Sequence, residues 1–162
     1  MTFGAHDDEP DKAARRALLD AVARVTAGCG RDSPTGLALV ALIQDVEVLA
    51  GRTRTWAGEP DLFLWFVEQL ADLCVRHAQI SATLRSSAPG TLAPLRHMIV
   101  EAGGRALPAA QAQGLVRGDL QADDILTIAS LLGAGLEGDL GSRRAVSLSA
   151  RSIILDGLKA RS

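Results

Sequence analysis

The fold is decided by residues 62–84, which read LFLWFVEQLADLCVRHAQISATL. Glu59, Pro60 and Asp61 precede this stretch, and acidic side chains with a proline are typical of the positively polarised start of a helix. Mostly apolar side chains then recur at intervals of three and four, which is the spacing of one helix face. That face consists of Phe63, Phe66, Val67, Leu70, Leu73, Cys74 and His77. The stretch predicts one long helix, the most deeply buried of the chain.

Five further segments repeat the helical spacing, and each is bounded by glycine, proline or small polar residues. Ser33-Pro34 is a typical helix start, and Gly103, Gly104 and Pro108 predict a kink. With 3% aromatic residues and no tyrosine, the composition disfavours sheets. We therefore expect an all-α fold, a bundle of about six helices. The five segments cover 11–26, 33–51, 91–113, a stretch that begins near Ala122, and roughly Arg143 to Ala160.

Composition limits the class of protein. A chain of 162 residues with a formal charge of −2 suits one compact domain and lacks the positive charge of a basic nucleic-acid binder. Apolar runs such as 62–67 are much shorter than a membrane span, and the N-terminus is acidic, so we expect a cytoplasmic protein without a membrane segment. Cys29 and Cys74 lack metal-site spacing, which predicts two reduced thiols and no metal.

Two motifs invite a chemical interpretation, and neither supports one. Residues 133–138 match the dinucleotide pattern G-x-G-x-x-G, but they follow a helical stripe instead of a strand. We interpret these glycines as positions where helices pack closely at an interface. His6, His77 and His97 have no nearby nucleophile or acid in a known catalytic spacing. We therefore expect no enzyme and no cofactor.

Residues 111–125, QAQGLVRGDLQADDI, carry a family resemblance. Gly114 can end one helix, Arg117 can pair with Asp119, and two acids open the next helix. The stretch resembles the AxxxGxxRxDxxxxD(I/L) linker in the effector-binding domain of TetR-type transcriptional regulators. Residues 12–32 resemble the first helix of that family, 65–84 a central helix, and 150–160 the last helix.

The joint at 28–34 departs from the family pattern. Residues 33–50, SPTGLALVALIQDVEVLA, look like the exit of the family's helix-turn-helix and the long helix after it, yet they follow GCGRD directly. The two helices that would read the major groove are absent, so the chain alone is not expected to read an operator. Either the protein is a shortened family member, or a segment is missing from the sequence. The expected organisation is a flexible N-terminus at 1–10, a remnant of the DNA-binding domain at 11–32, and a ligand-binding and dimerisation domain at 33–162.

The resemblance implies a homodimer, a small hydrophobic effector and a largely apolar pocket. The implied interface lies on the last two helices: Ile128, Leu132, Leu136, Val146, Ile153, Ile154 and Leu158. The candidate pocket residues, which can equally be plain core, are Trp65, Phe66, Leu70, Leu73, His77, Leu84 and Met98. Lys12, Arg15 and Arg16 can meet DNA phosphates or simply form a solvated helix face. DNA is a partner only if a reading segment exists elsewhere or in a second protein.

Three functional hypotheses follow. The first is a TetR-like, ligand-responsive transcriptional regulator whose DNA-reading helices are absent. The second is an interaction or sequestering subunit that pairs with a complete regulator. The third is a small helical ligand carrier or enzyme.

Overall fold

The structure is a computed structural model that describes residues 9–30 and 32–160. Within these residues the chain is all-α, as predicted, with seven α-helices, one short 3-10 turn and no strand. The helices are α1 Glu9–Cys29, α2 Pro34–Thr55, α3 Leu62–Arg76, α4 Ala78–Ser87, α5 Leu92–Ala112, α6 Asp124–Gly133 and α7 Leu140–Leu158. The 3-10 turn, Pro89–Thr91, joins α4 to α5.

The single long helix predicted over 62–84 is wrong, because the chain breaks at His77. His77 has φ −110° and ψ 18°, outside helical geometry, and it separates α3 from α4. Ile80 and Leu84 of α4 are buried like the apolar positions of α3. The helical spacing therefore continues through the break and does not reveal it, which is why the chain has one more helix than expected.

Capping side chains fix two helix starts. Ser33 Oγ accepts a hydrogen bond of 3.0 Å from the Gly36 N–H, which confirms the predicted start of α2 at Ser33-Pro34. Asp139 accepts bonds from the N–H groups of Gly141 and Ser142, at 2.7 and 3.0 Å, so α7 begins at Leu140 and not near Arg143. α2 also continues past the expected end at 51 to Thr55.

α3 is the centre of the bundle and packs against α2, α5, α6 and α7. Eight of its 15 residues are buried, a larger share than the eight of 22 in α2 or the eight of 21 in α5. Phe63 and Phe66 are both completely buried, with ring centroids 6.2 Å apart. The prediction that this segment is the most deeply buried is confirmed for α3.

α5 approaches α3 and α6 closely at Gly103. A Cβ at this position would lie 2.5 Å from Ile125 Cδ1 and 2.8 Å from Phe66 Cε1. The helix runs without interruption from Leu92 to Ala112, through Pro108. Gly103 therefore allows α3, α5 and α6 to pack closely, a role that the prediction of a kink did not include.

α1 belongs to the same core as the other helices. Leu18 and Val22 are buried in the main apolar cluster, and α1 packs against α2 and α5. Only residues 30–33 separate α1 from α2, and Gly30 takes a positive φ of 83° in this turn. Residues 1–8 of the predicted flexible N-terminus, including His6, lie outside the described residues, and α1 already begins at Glu9.

The corner between α2 and α3 holds both tryptophans of the chain. The rings of Trp56 and Trp65 meet edge to face, with centroids 5.6 Å apart and planes at 73°. The Arg52 guanidinium lies 5.9 Å from the centre of the first ring and 5.8 Å from the second. This arrangement allows a cation–π interaction with both.

One described helix, α2, is long and apolar enough to cross a membrane by length and composition. Burial offers another account of that composition. Leu39, Leu42 and Val46 are buried in the common core, and α2 packs against α1, α3 and α5. A helix inside a bundle needs the same apolar side chains.

Candidate functional site

The residues predicted to line a ligand pocket lie in the core. Phe66, Leu70, Leu73, Leu84 and Met98 are buried in the main cluster, and Trp65 packs against it. Of these, Met98 borders a cavity, a space of about 200 Å³ that it shares with Arg15, Glu47 and Arg54. Core packing accounts for the burial of the others, and ligand binding by this set stays a prediction.

His77, the remaining pocket candidate, joins α2 to the break between α3 and α4. Its Nε2 lies 2.7 Å from Asp45 Oδ2, and the same oxygen accepts a 2.6 Å bond from Arg76 Nη1. Sequence reasoning missed Asp45, although an acid beside buried Ile43 in an apolar helix was an available signal. His97 is exposed and pairs with Glu101 at 3.4 Å, so the two histidines have separate partners.

A cavity of about 460 Å³ lies where α3, α4, α5 and α6 meet the link between α6 and α7. We call it the Cys74 cleft. Cys74, Ala78, Ser81, Ala82 and Arg85 line it from α3 and α4, and α5 contributes Arg96. The opposite side comes from α6 and from link residues 134–137.

Cys74 forms part of the cleft wall as a neutral thiol. Its Sγ lies 3.9 Å from the Ala129 carbonyl oxygen. Burial raises the pKa of this thiol from 9.0 to about 11, while the positive charge of Arg85 acts in the opposite direction. Since the thiolate is the reactive form, Cys74 is a poor nucleophile at neutral pH and contributes a small apolar surface.

Two arginines from different helices border the cleft. In the part of the chain that the structure describes, neither Arg85 nor Arg96 has a carboxylate within 4.0 Å. Glu137 borders the same space from the link. Guanidinium groups bind carboxylates, sulfonates and phosphates by charge-assisted hydrogen bonds, so these positions can hold an anionic group.

The residues predicted for a dimer interface divide into two groups. Ile128, Leu132, Leu136 and Leu158 are buried within the single chain, which explains their apolar character without a second copy. Val146 and Ile153 are exposed, and Ile154 is partly buried. Periodicity placed these residues on helices correctly except for Leu136, which lies in the link because α6 already ends at Gly133. It did not distinguish the inward face of a helix from the outward one. Sequence reasoning missed the exposed apolar residues Leu126, Leu131, Leu140 and Leu148.

The glycines of 133–138 form a turn. Gly135 and Gly138 have positive φ values of 69° and 89°, which glycine adopts without strain. A Cβ at Gly133 would meet nothing within 4 Å. Turn conformation accounts for Gly135 and Gly138 within the chain, and close packing of these glycines at an interface with a second chain stays a prediction.

The linker that carries the family resemblance is a structured turn. The Arg117 side chain binds both carboxylate oxygens of Asp119, with Nε 2.6 Å from Oδ1, as predicted. The Arg117 N–H donates to the Leu158 carbonyl at 2.9 Å, which ties the turn to the end of α7. The Gln111 amide also donates to the Leu120 carbonyl at 2.9 Å, a contact that the sequence pattern did not suggest.

The predicted phosphate contacts lie on the exposed side of α1. Lys12, Arg15 and Arg16 are exposed, and Arg15 Nε is 4.0 Å from Glu47 Oε1 on α2. A carboxylate at that distance reduces the local positive charge available to a phosphate. DNA contact by these residues stays a prediction.

A search of the described residues for three or more clustered His, Cys, Asp or Glu finds no group that can hold a metal ion. Comparison of the chain with models of protein families, with curated proteins and with solved structures gives no match.

Proposed function

We propose that the chain is a TetR-like, ligand-responsive regulatory scaffold that binds a small effector in the Cys74 cleft and pairs with a second copy. The observation that carries this proposal is that one cavity is lined both by α4 and by the link that leads into α7. A ligand there contacts α4 and this link at once. If it binds one arrangement of these elements better than another, it shifts the population between them.

The exposed surface of the last two helices supports the second copy. Leu126 and Leu131 of α6 and Leu148 and Ile153 of α7 are exposed, Ile153 to 73%. Exposed apolar side chains in this number on two consecutive helices are common at subunit interfaces. In this proposal the exposed residues form the centre of the dimer interface, in place of the buried members of the predicted interface set.

The joint between α1 and α2 supports regulation without direct operator reading. Only four residues separate the end of α1 at Cys29 from the start of α2 at Pro34, which is too few for two further helices, and a recognition helix is what carries base-edge contacts. Operator reading in this proposal therefore depends on a segment or partner outside the described chain.

Oligomeric state tests the proposal. Sedimentation of the purified chain at micromolar concentration is expected to give a dimer, and the double variant Leu148→Asp, Ile153→Asp a monomer with unchanged helix content. The matched control is Leu37→Asp, Val48→Asp, because those residues of α2 are equally exposed. A monomeric wild type, or a control variant that dissociates as readily, contradicts the proposal.

DNA binding provides a second readout. Fluorescence anisotropy with the upstream fragment of the gene and a scrambled fragment, over a salt series, should give no binding or equal, salt-sensitive binding. A preference for the true fragment that survives moderate salt would contradict the absence of a reader.

A sequestering subunit is the second candidate, and the same exposed face of α6 and α7 favours it. Such a chain would form heterodimers with a complete regulator and prevent operator binding, because a dimer needs two readers for both half-sites. Coexpression with a complete regulator from the same genome tests this function. Recovery of homodimers alone would contradict it.

A further inference from the structure

The Cys74 cleft brings together two arginines from different helices. The cavity at the α1–α2 joint, about 490 Å³, has Arg24 as its one charged lining residue. In the groove between α3 and α7, Arg76 is bound to Asp45, and the other two arginines, Arg144 and Arg151, both come from α7. In the Cys74 cleft, two arginines share one space without a carboxylate partner among the described residues.

Arg85 and Arg96 reach this space from different helices. Arg85 lies in the last turn of α4, and its charge acts on the thiol of Cys74, so the guanidinium is close enough to influence the cleft interior. Arg96 lies in the second turn of α5. Two like charges that border one cavity repel each other, and an anion between them replaces that repulsion with attraction.

The remaining wall accepts an apolar group. Ala78, Ala82 and Ala129 line it beside the neutral thiol of Cys74, and Ser81 and Ser130 add two hydroxyl groups. The volume of about 460 Å³ falls in the range of small-molecule sites, roughly 300–1,000 Å³. Apolar walls with a few placed polar groups are the usual composition of such sites.

We infer that the Cys74 cleft binds an amphiphilic organic monoanion. Its carboxylate or sulfonate pairs with Arg85 and Arg96, and its apolar body lies against Cys74 and the alanines. The inference rests on the proposed function, in which this molecule is the effector, and it specifies an anionic group that the small hydrophobic effector implied by the family resemblance did not include. Glu137 at the rim adds one negative charge, which favours a singly charged ligand over a dianion.

Two fluorescent probes isolate the contribution of charge. 1-Anilinonaphthalene-8-sulfonate and N-phenyl-1-naphthylamine share an aromatic body, and only the first carries a sulfonate. In titrations at pH 7 and low salt, the wild type is expected to bind the sulfonate about tenfold more tightly than the neutral probe. That preference should shrink at high salt.

Single substitutions locate the anion. Arg85→Gln and Arg96→Gln should each weaken sulfonate binding roughly fivefold and leave the neutral probe within about twofold. Glu137→Gln should strengthen sulfonate binding. The matched control is Arg144→Gln, Arg151→Gln in the α3–α7 groove, which should change neither probe.

Two further measurements confine the probe to the cleft. Ala82→Phe, at an exposed lining position, should weaken both probes because it fills the space. In a Cys29→Ser background, the bound sulfonate should protect Cys74 from iodoacetamide. The inference is overturned if the probes bind equally, if neither arginine variant weakens the sulfonate, if the groove control weakens it as strongly, or if Cys74 is not protected.

Sedimentation of the same samples separates the two proposals. A dimer without anion preference retains the proposed function and overturns this inference. A monomer with the full preference overturns the proposed function and retains the site.

Discussion

Gly103→Ala is expected to destabilise the protein, although alanine is the better helix former. In an open helix position, this change stabilises by about 1 kcal/mol. Here the added Cβ would lie 2.5 Å from Ile125 Cδ1 and 2.8 Å from Phe66 Cε1. Both side chains are completely buried, so neither can move into solvent.

The magnitude follows from these opposing effects. Forcing one extra carbon into a filled core costs about 1–3 kcal/mol. Contacts as short as 2.5 Å place the cost in the upper part of this range, about 2–3 kcal/mol. After a gain of about 1 kcal/mol in helix propensity, the net loss of unfolding free energy is about 1–2 kcal/mol, or a fall in Tm of roughly 2–8 °C for a chain of this size. Gly51→Ala is the matched control, because it lies inside α2 and its Cβ would meet nothing within 4 Å. It should stabilise by about 0.5–1 kcal/mol.

Urea unfolding followed by far-ultraviolet circular dichroism measures both variants at one protein concentration. Ile125→Val, which removes the Cδ1 methyl, completes a double-mutant cycle with Gly103→Ala. We expect the two changes to be less costly together than the sum of each alone, by about 0.5–1 kcal/mol. Equal stabilisation by Gly103→Ala and Gly51→Ala, or a cycle with no coupling, would refute the close approach of α5.

Three further predictions concern side-chain chemistry. In a Cys29→Ser background, alkylation of Cys74 at pH 8 should be about 100-fold slower than that of a free thiol, because the pKa of Cys74 is about 11. The alkylation rate should still be rising at pH 10, and a plateau of the rate near pH 9 would contradict this. The stability that this thiol contributes is complete below pH 9 and lost as pH rises from 9 to 11, so the advantage in Tm of the wild type over Cys74→Ala should shrink there. Asp45→Ala should destabilise by about 1–2 kcal/mol in urea unfolding, whereas Glu47→Ala, whose partner is 4.0 Å away and exposed, should cost under about 0.5 kcal/mol. Hydrogen bonds from backbone and side chain at the start of α7 lower the pKa of Asp139 below 3.8, so the stability that this carboxylate contributes is present above that pH and lost below it. Asp139→Asn should therefore reduce the loss of helix content in acid. An unchanged acid profile would count against the cap.

Much of the fold could be predicted from local features of the sequence. Ser33 beside Pro34 marked a helix start because a cap and a fixed φ act within one turn, and the structure has that cap. Arg117 and Asp119 are two residues apart, so their pairing also depends on local geometry. The apolar spacing around Phe66 identified buried positions correctly.

Features that depend on several helices were not predictable in the same way. The periodicity of 62–84 is identical on both sides of His77, so it could not place the break. Arg85 and Arg96 are exposed residues that become a pair only when α4 and α5 border one cavity. Leu132 and Ile153 are equally apolar, and only the packed structure shows that one faces inward and the other outward.

The paired rings at the α2–α3 corner determine what optical measurements on this protein can detect. The chain has no tyrosine, so near-ultraviolet dichroism at the longest absorbing wavelengths and intrinsic emission both originate from Trp56 and Trp65. At 5.6 Å the electronic transitions of the two indoles couple, so both rings contribute to one signal from the same place in the fold. Intrinsic fluorescence therefore reports on this corner of the bundle, and a shift in emission on binding of a non-absorbing ligand measures a change that reaches the corner through α2 or α3.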